Sequence, residues 1–231
     1  LLGLTGTMVI TFLAHIAGLV AFTRGGFLAV QVLLTGLLGG LTYRNIGTSL
    51  FSGSSRVSLS PSLPLPSWGN VIIAIFGTGI ILKILAGTVL LLATPPYYDD
   101  TFNNWNMRGK IFFETGRLTL SIPAGNESFA ISGVSSYPPT VPMVKAWLAA
   151  LAGQWSDALA GSIHALWYIA ALTLLFCVLR RHVSRVSAIL GTYILGSLPL
   201  YLIQGTNAYA DIFLSASLLT AGGLLFSAAA S

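Results

Sequence analysis

Two adjacent carboxylates, Asp99 and Asp100, follow Pro95-Pro96-Tyr97-Tyr98 directly behind a long apolar run, which places them at or near a membrane surface. The stretch 101–116 has Phe102, Trp105, Gly109 and Phe112 at spacings of three and four, the pattern of a short helix with Gly116 as its stop. On that helix Asp100, Asn104 and Arg108 stand four residues apart on one face, so an acid, an amide and a cation line up. A carboxylate there can take a proton and a guanidinium can hold an anion. The plainer alternative is that Asp99 or Asp100 only caps the helix. A further acid, Asp211, closes Asn207-Ala208-Tyr209-Ala210-Asp211 at the start of the last apolar run. Acids at membrane depth mark functional sites by default, with an interfacial helix cap as the alternative.

Other polar residues carry less. Tyr137-Pro138-Pro139-Thr140-Val141-Pro142 is a rigid turn feeding a second interfacial helix, on which Met143, Val144, Trp147 and Leu148 repeat at helical spacing. Trp147 and Trp155 read as its anchors, and Lys145 as a snorkelling surface lysine. Lys83 falls near the middle of an apolar run, where an unpaired ammonium costs roughly 2.5–3.5 kcal/mol, so it is expected to face protein or water or to pair with an acid. His15 and His164 lie in apolar runs without partners at ligand spacing, and His182 belongs to an Arg-Arg-His turn, so no metal site is expected. Asn126-Glu127-Ser128 fits a glycosylation sequon, a match common by chance.

The elements that must position these residues follow from composition. Of 231 residues 55% are apolar and 7% charged, against a globular norm of roughly 25% charged, and the mean hydropathy is +0.83. An ordinary soluble domain is excluded. The net charge of +5 comes from scattered bases, which argues against nucleic acid as a partner, and the single Cys177 excludes an intrachain disulfide. Six stretches, 2–22, 26–42, 70–93, 161–179, 186–204 and 210–229, approach or reach the roughly 17–25 residues of a membrane-crossing helix. The fold class is therefore all-α: a polytopic transmembrane helical protein with about six spans. Residues 1–42 form an N-terminal transmembrane hairpin, 43–69 a cytoplasmic Ser/Pro linker, and 70–231 a transmembrane module whose long loop, 95–160, carries the interfacial helices. Arg44, Arg56, Arg180, Arg181 and Arg185 lie in short loops on one side and Arg24 alone on the other, which puts 95–160 and 205–209 outside the cytoplasm. On that topology Asp211 approaches Asp100.

Three segments together resemble a known family. Asp100-Thr-Phe-Asn-Asn-Trp105-Asn-Met-Arg108-Gly-Lys110 resembles the D-x-x-x-x-W-x-x-K-x-K signature in the first extracytoplasmic loop of bacterial polytopic glycosyltransferases of the GT-C superfamily. The stretch from Ser136-Tyr137-Pro138-Pro139 through Pro142 to Ala146-Trp147 is similar to their D-Y-P-x-x-x-P-x-x-x-A-W motif, and Ala208-Tyr209-Ala210-Asp211 to their G-Y-A-D. Ser136 stands where the motif has Asp, Ala208 where it has Gly, and Arg108 where it has Lys.

The resemblance covers 70–229 and implies a polyprenyl-phosphate sugar donor, an acceptor met on the outer face, and a bacterial inner membrane. It makes Asp100 the catalytic carboxylate. Arg108 and Lys110 would meet the departing lipid phosphate, and Asp99, Asn104, Tyr137 and Asp211 would contact substrate. Asp211 would position the acceptor or share a divalent cation with Asp100. No nucleotide-binding signature appears, which suits a donor delivered in the membrane. Family members have several further membrane helices, so the chain, which starts at Leu1 and ends within an apolar stretch, reads as part of a longer enzyme or one needing further helices or subunits. The alternative is a non-catalytic membrane subunit or transporter module, in which the interfacial helices bind lipid or a partner protein.

Overall fold

A computed structural model describes residues 1–44, 67–96, 98–118 and 137–229. Among them all regular structure is helical: α1 (Leu2–Ile16), α2 (Arg24–Thr42), α3 (Ser67–Ala93), a π-helical segment (Thr101–Met107) continued by α4 (Arg108–Thr115), α5 (Thr140–Ala152), α6 (Asp157–His182), α7 (Arg185–Ser197), α8 (Pro199–Thr206) and α9 (Asp211–Ala229). Residues 45–66 of the expected linker 43–69, with Arg56, and residues 119–136 of the loop 95–160, with the sequon, lie outside the described residues.

Among the described residues three helices can cross a bilayer by length and composition, Arg24–Thr42, Trp68–Ala93 and Asp157–His182, with a fourth if the bent pair α7 and α8 counts as one span. Six were expected, and two causes of the difference are local. The stretch 2–22 is helical over only 15 residues, about 22 Å at 1.5 Å per residue against a hydrocarbon core of roughly 30 Å. Gly18, at φ 74°, turns the chain there, and its N–H donates to the His15 carbonyl at 2.8 Å. The stretch 186–204 breaks by 69° between Ser197 and Pro199. Pro199 has no N–H to give, and it holds Leu198 in extended backbone at ψ 123°.

The long helix α6 is the axis of one half. Helices α3, α7, α8 and α9 pack around it, and its Ile163, Trp167, Tyr168 and Leu172 form the core with Ile80 and Ile212. Close approach of α3 and α6 depends on Gly161, where a Cβ would lie 2.8 Å from the Leu91 carbonyl oxygen. Outward, α3 exposes Val71, Ile75, Leu82, Leu85 and Val89, a face suited to lipid. Together the composition and these helices make the chain a membrane-associated helical protein. Among the described residues Lys83 on α3 has no acid partner: its ammonium sits 5.6 Å from the centre of the Tyr193 ring on α7, a cation–π contact.

The other half is built on α5, which packs against α1, α2, α4 and α6. Phe12, Phe27, Phe112, Met143 and Trp147 fill its core, so Trp147 is a buried packing residue and not an interfacial anchor. Two side chains bolt this layer from its edges. The His15 ring nitrogens lie 2.8 Å from the Val20 carbonyl and 2.9 Å from that of Gly116, and Arg24 donates to the Ala152 carbonyl at 2.7 Å.

Candidate functional site

The segment carrying the twin acids is wound more widely than an α-helix. Thr101–Met107 is π-helical, and α4 continues it to Gly116, which ends the helix in left-handed backbone at φ 60°. Widened turns of this kind are frequent at functional sites. Asp100 does not cap the helix through its side chain: it has helical backbone (φ −62°, ψ −39°) and makes no capping bond. Its Oδ1 instead accepts from Asn104 Nδ2 at 2.8 Å, while Asp99 accepts from Asn103. The face of Asp100 and Asn104 is thus a hydrogen-bonded pair.

Thr101 ties the segment to the linker between α8 and α9, donating to the Asn207 carbonyl at 2.7 Å. That bond sets Asp100 beside the stretch holding Tyr209 and Asp211. Burial first, then the negative charges of Asp100, Asp211 and Asp99 with the Tyr98 phenol, hold the Tyr209 hydroxyl above its ordinary pKa. From the other side Trp105 stacks on Tyr137, ring centres 5.4 Å apart and planes 6° from parallel. Asp100, Trp105, Tyr137, Gln204, Tyr209 and Asp211 line one cavity of about 540 Å³, completed by apolar side chains of α5 and α9. The three segments that carry the family resemblance meet there, although Asp100 and Asp211 are far apart in sequence.

The expected cations are not in that lining. Arg108 is 4% exposed, donates to the Tyr137 carbonyl at 3.1 Å, and faces the Phe112 ring at 6.0 Å. Burial lowers its pKa. Its role is to fasten the Tyr137 turn against α4. Lys110 stands one turn before Glu114, its ammonium 3.9 Å from the carboxylate, with both side chains half-exposed. Asn104 and Asp99 likewise do not line the cavity, Asn104 acting through Asp100.

Sequence reasoning missed a buried polar chain behind the cavity. Lys145 is 0% exposed, which overturns its reading as a surface lysine. Its ammonium donates to the Asn106 side-chain oxygen Oδ1, the Asn106 side-chain Nδ2 donates to Asp157 at 3.3 Å, and Trp155 donates to the same carboxylate oxygen at 3.0 Å. Burial pushes Lys145 down to about 7, with Asp157 opposing the shift. The π-helical segment, α5 and the start of α6 are thereby held together. A usable signal was present: Val141 to Ala152 is apolar apart from Lys145, and a helix apolar all round is a buried one. On α6 His164 is fully buried with its ring edge-on to Trp167 at 5.0 Å. Among the described residues no three His, Cys, Asp or Glu side chains gather as a metal site.

Comparison with protein families, with curated proteins and with solved structures finds no match.

Proposed function

We propose that this chain is a membrane glycosyltransferase, or its catalytic module, moving a sugar from a polyprenyl-phosphate donor to an acceptor hydroxyl on the extracytoplasmic face of a bacterial inner membrane. The observation that carries the reading is the convergence of Asp100 and Trp105, Tyr137 and Val141, and Tyr209 and Asp211 on one cavity. In the proposed step an Asp100 carboxylate oxygen takes the acceptor's proton as its oxygen attacks the anomeric carbon. The carbon–oxygen bond to phosphate breaks, the phosphate leaves with the electron pair, and the anomeric configuration inverts. General-base help of this kind is worth about 10²–10⁴-fold.

Asn104 orients Asp100 by its amide, and Asp211 positions the acceptor from the opposite wall. The departing phosphate calls for positive charge. Lys110 can supply it, since an exposed pair one turn apart on a helix, such as Lys110 and Glu114, contributes only about 0.3–0.5 kcal/mol and is easily exchanged. Asp100 and Asp211 are the residues that would hold a divalent cation, together with phosphate oxygens of the donor. Six crossings, with 95–160 outside, remain part of the proposal, as does the need for further helices.

One observation favours the non-catalytic alternative, a subunit or transporter module: among the described residues no basic side chain lines the cavity. Transfer from a sugar-loaded polyprenyl phosphate by the purified protein separates the two. Asp100→Asn is expected to lower transfer by roughly 10²-fold or more while the protein stays folded. Full activity of that variant would remove Asp100 as the base, and no transfer by the parent protein would favour the subunit.

A further inference from the structure

Charge is divided between the two ends of the bundle. Among the described residues the acids are Asp99, Asp100, Glu114, Asp157 and Asp211, and none of them lies on α7 or in the turn that joins it to α6. That turn carries Arg180, Arg181, His182 and Arg185 instead. The helix α6, from Asp157 to His182, has 26 residues and is about 38 Å long at 1.5 Å per residue, against a hydrocarbon core of roughly 30 Å. With Asp157 at one membrane surface, Arg181 and His182 therefore stand in the headgroup layer of the other.

The turn is held in one shape. Arg180 is buried and donates to the Val183 carbonyl at 2.7 Å, the Val183 N–H donates to the Leu179 carbonyl at 2.8 Å, and Ser184 Oγ accepts from the Ser187 N–H at 3.1 Å. Arg181, His182 and Arg185 are exposed on it. An aromatic side chain stands near their level. A Cβ at Gly79 would meet Tyr193 and one at Gly87 would meet Thr206, so α3 runs alongside α7 and α8 in the same direction. Trp68 lies about 16 Å before Gly79 and Arg185 about 12 Å before Tyr193, within about one turn of a common level. Trp68 is 60% exposed, as suits an indole at a bilayer surface.

We propose that the turn between α6 and α7 binds the phosphate headgroup of an anionic phospholipid through Arg181 and Arg185. Guanidinium groups pair with phosphate oxygens in a planar fork, the turn contains no acid to compete for them, and its fixed backbone lowers the cost of ordering them around a ligand. A basic cluster at the headgroup level beside an interfacial Trp is the chemistry that such a lipid meets. The surface lies at the end of α6 opposite Asp157, away from Asp100 and Asp211, and does not depend on the glycosyltransferase reading.

The test titrates phosphatidylglycerol, and separately phosphatidylcholine, into the delipidated full chain in mild detergent and counts bound lipid by native mass spectrometry. Phosphatidylglycerol is expected to bind at the lower concentration. Neutralising both bases, Arg181→Gln with Arg185→Gln, should raise its half-saturation roughly thirtyfold, and Arg181→Lys with Arg185→Lys should restore most of the binding. The control removes the same charge from the other end: Lys110→Gln with Arg117→Gln should leave half-saturation unchanged. In the parent protein the preference for phosphatidylglycerol should vanish near 1 M sodium chloride, where the screening length is about 3 Å.

Equal affinity of the parent for the two lipids overturns the proposal, as does an unchanged half-saturation in the Gln pair or an equal loss in the control pair. A preference that survives 1 M salt also overturns it, and that measurement needs no variant to fold. Inorganic phosphate separates the two sources of the headgroup chemistry. Displacement of the lipid by phosphate, beyond that caused by chloride at the same ionic strength, would make the turn a site for free phosphate and remove the lipid assignment.

Discussion

Lys145 gives the sharpest test of the packing behind the site. Its ordinary pKa of 10.5 is lowered to about 7, chiefly by burial. The unfolded chain therefore binds a proton between those values that the folded chain releases, and stability rises with pH across that window. At about 1.36 kcal/mol per decade the difference corresponds to about 5 kcal/mol, fully lost below pH 7 and recovered toward pH 10.5. Lys145→Met keeps a flexible side chain of similar length and removes the titration. The cost is an unpaired Asn106 oxygen, about 1–3 kcal/mol, so Met is expected to be the more stable at pH 7 by roughly 2–4 kcal/mol. The assay is unfolding of both proteins in mild detergent from pH 6.5 to 9.5, read as the difference between the two stability curves. That difference should shrink with a slope approaching 1.36 kcal/mol per pH unit. A flat difference would mean that Lys145 is solvated and that the chain through Asn106 to Asp157 does not hold the π-helical segment.

Other outcomes follow from single positions. Asp99→Asn should leave sugar transfer near the parent level, because Asp99 bonds Asn103 and does not line the cavity; loss of transfer here and not in Asp100→Asn would exchange their roles. Gly161→Ala should destabilise the protein by about 1–3 kcal/mol in a denaturation series, since its methyl carbon meets the Leu91 carbonyl at 2.8 Å, and an unchanged midpoint would show that α3 does not pack that closely. Ala208 holds a left-handed φ of 59°, so Ala208→Gly should leave stability unchanged or raise it by up to about 1 kcal/mol, whereas a clear loss would contradict that backbone. A cysteine at Ser132, with Cys177 replaced, should react with an impermeant reagent from outside intact cells, and labelling only after permeabilisation would invert the topology.

Local spacing read well where the contact is local. Asp100 and Asn104 are four apart, and that interval brings side chains together in either winding, so their bond was visible in the sequence. The meeting of Asp100 with Asp211 followed from counting which helix ends share a side of the bundle. Three features escaped. The end of α1 at Ile16 depends on Gly18 adopting a left-handed turn inside an otherwise apolar run, which hydropathy does not register. Arg108 and Lys110 were assigned by charge to a phosphate, but burial against Phe112 and Tyr137 takes the first, while the second stands outside the cavity lining in a loose, exposed pair with Glu114. Lys145 was read as interfacial because lysines usually are, while its buried acceptor, Asn106, belongs to another helix 39 residues away.

The π-helical winding of Thr101–Met107 makes the twin aspartates sensitive to register. A turn closed by i→i+5 bonds takes in one residue more than an α-helical turn. Rewinding the segment as α-helix at constant length would rotate its start by about 100°, the angle of one residue, carrying Asp100 off the cavity wall and a neighbour onto it. Deleting one residue within the segment while rewinding it would leave both flanks in place. The chain thus behaves as an α-helix with a single inserted residue, and the insertion selects which carboxylate of the pair addresses the cavity.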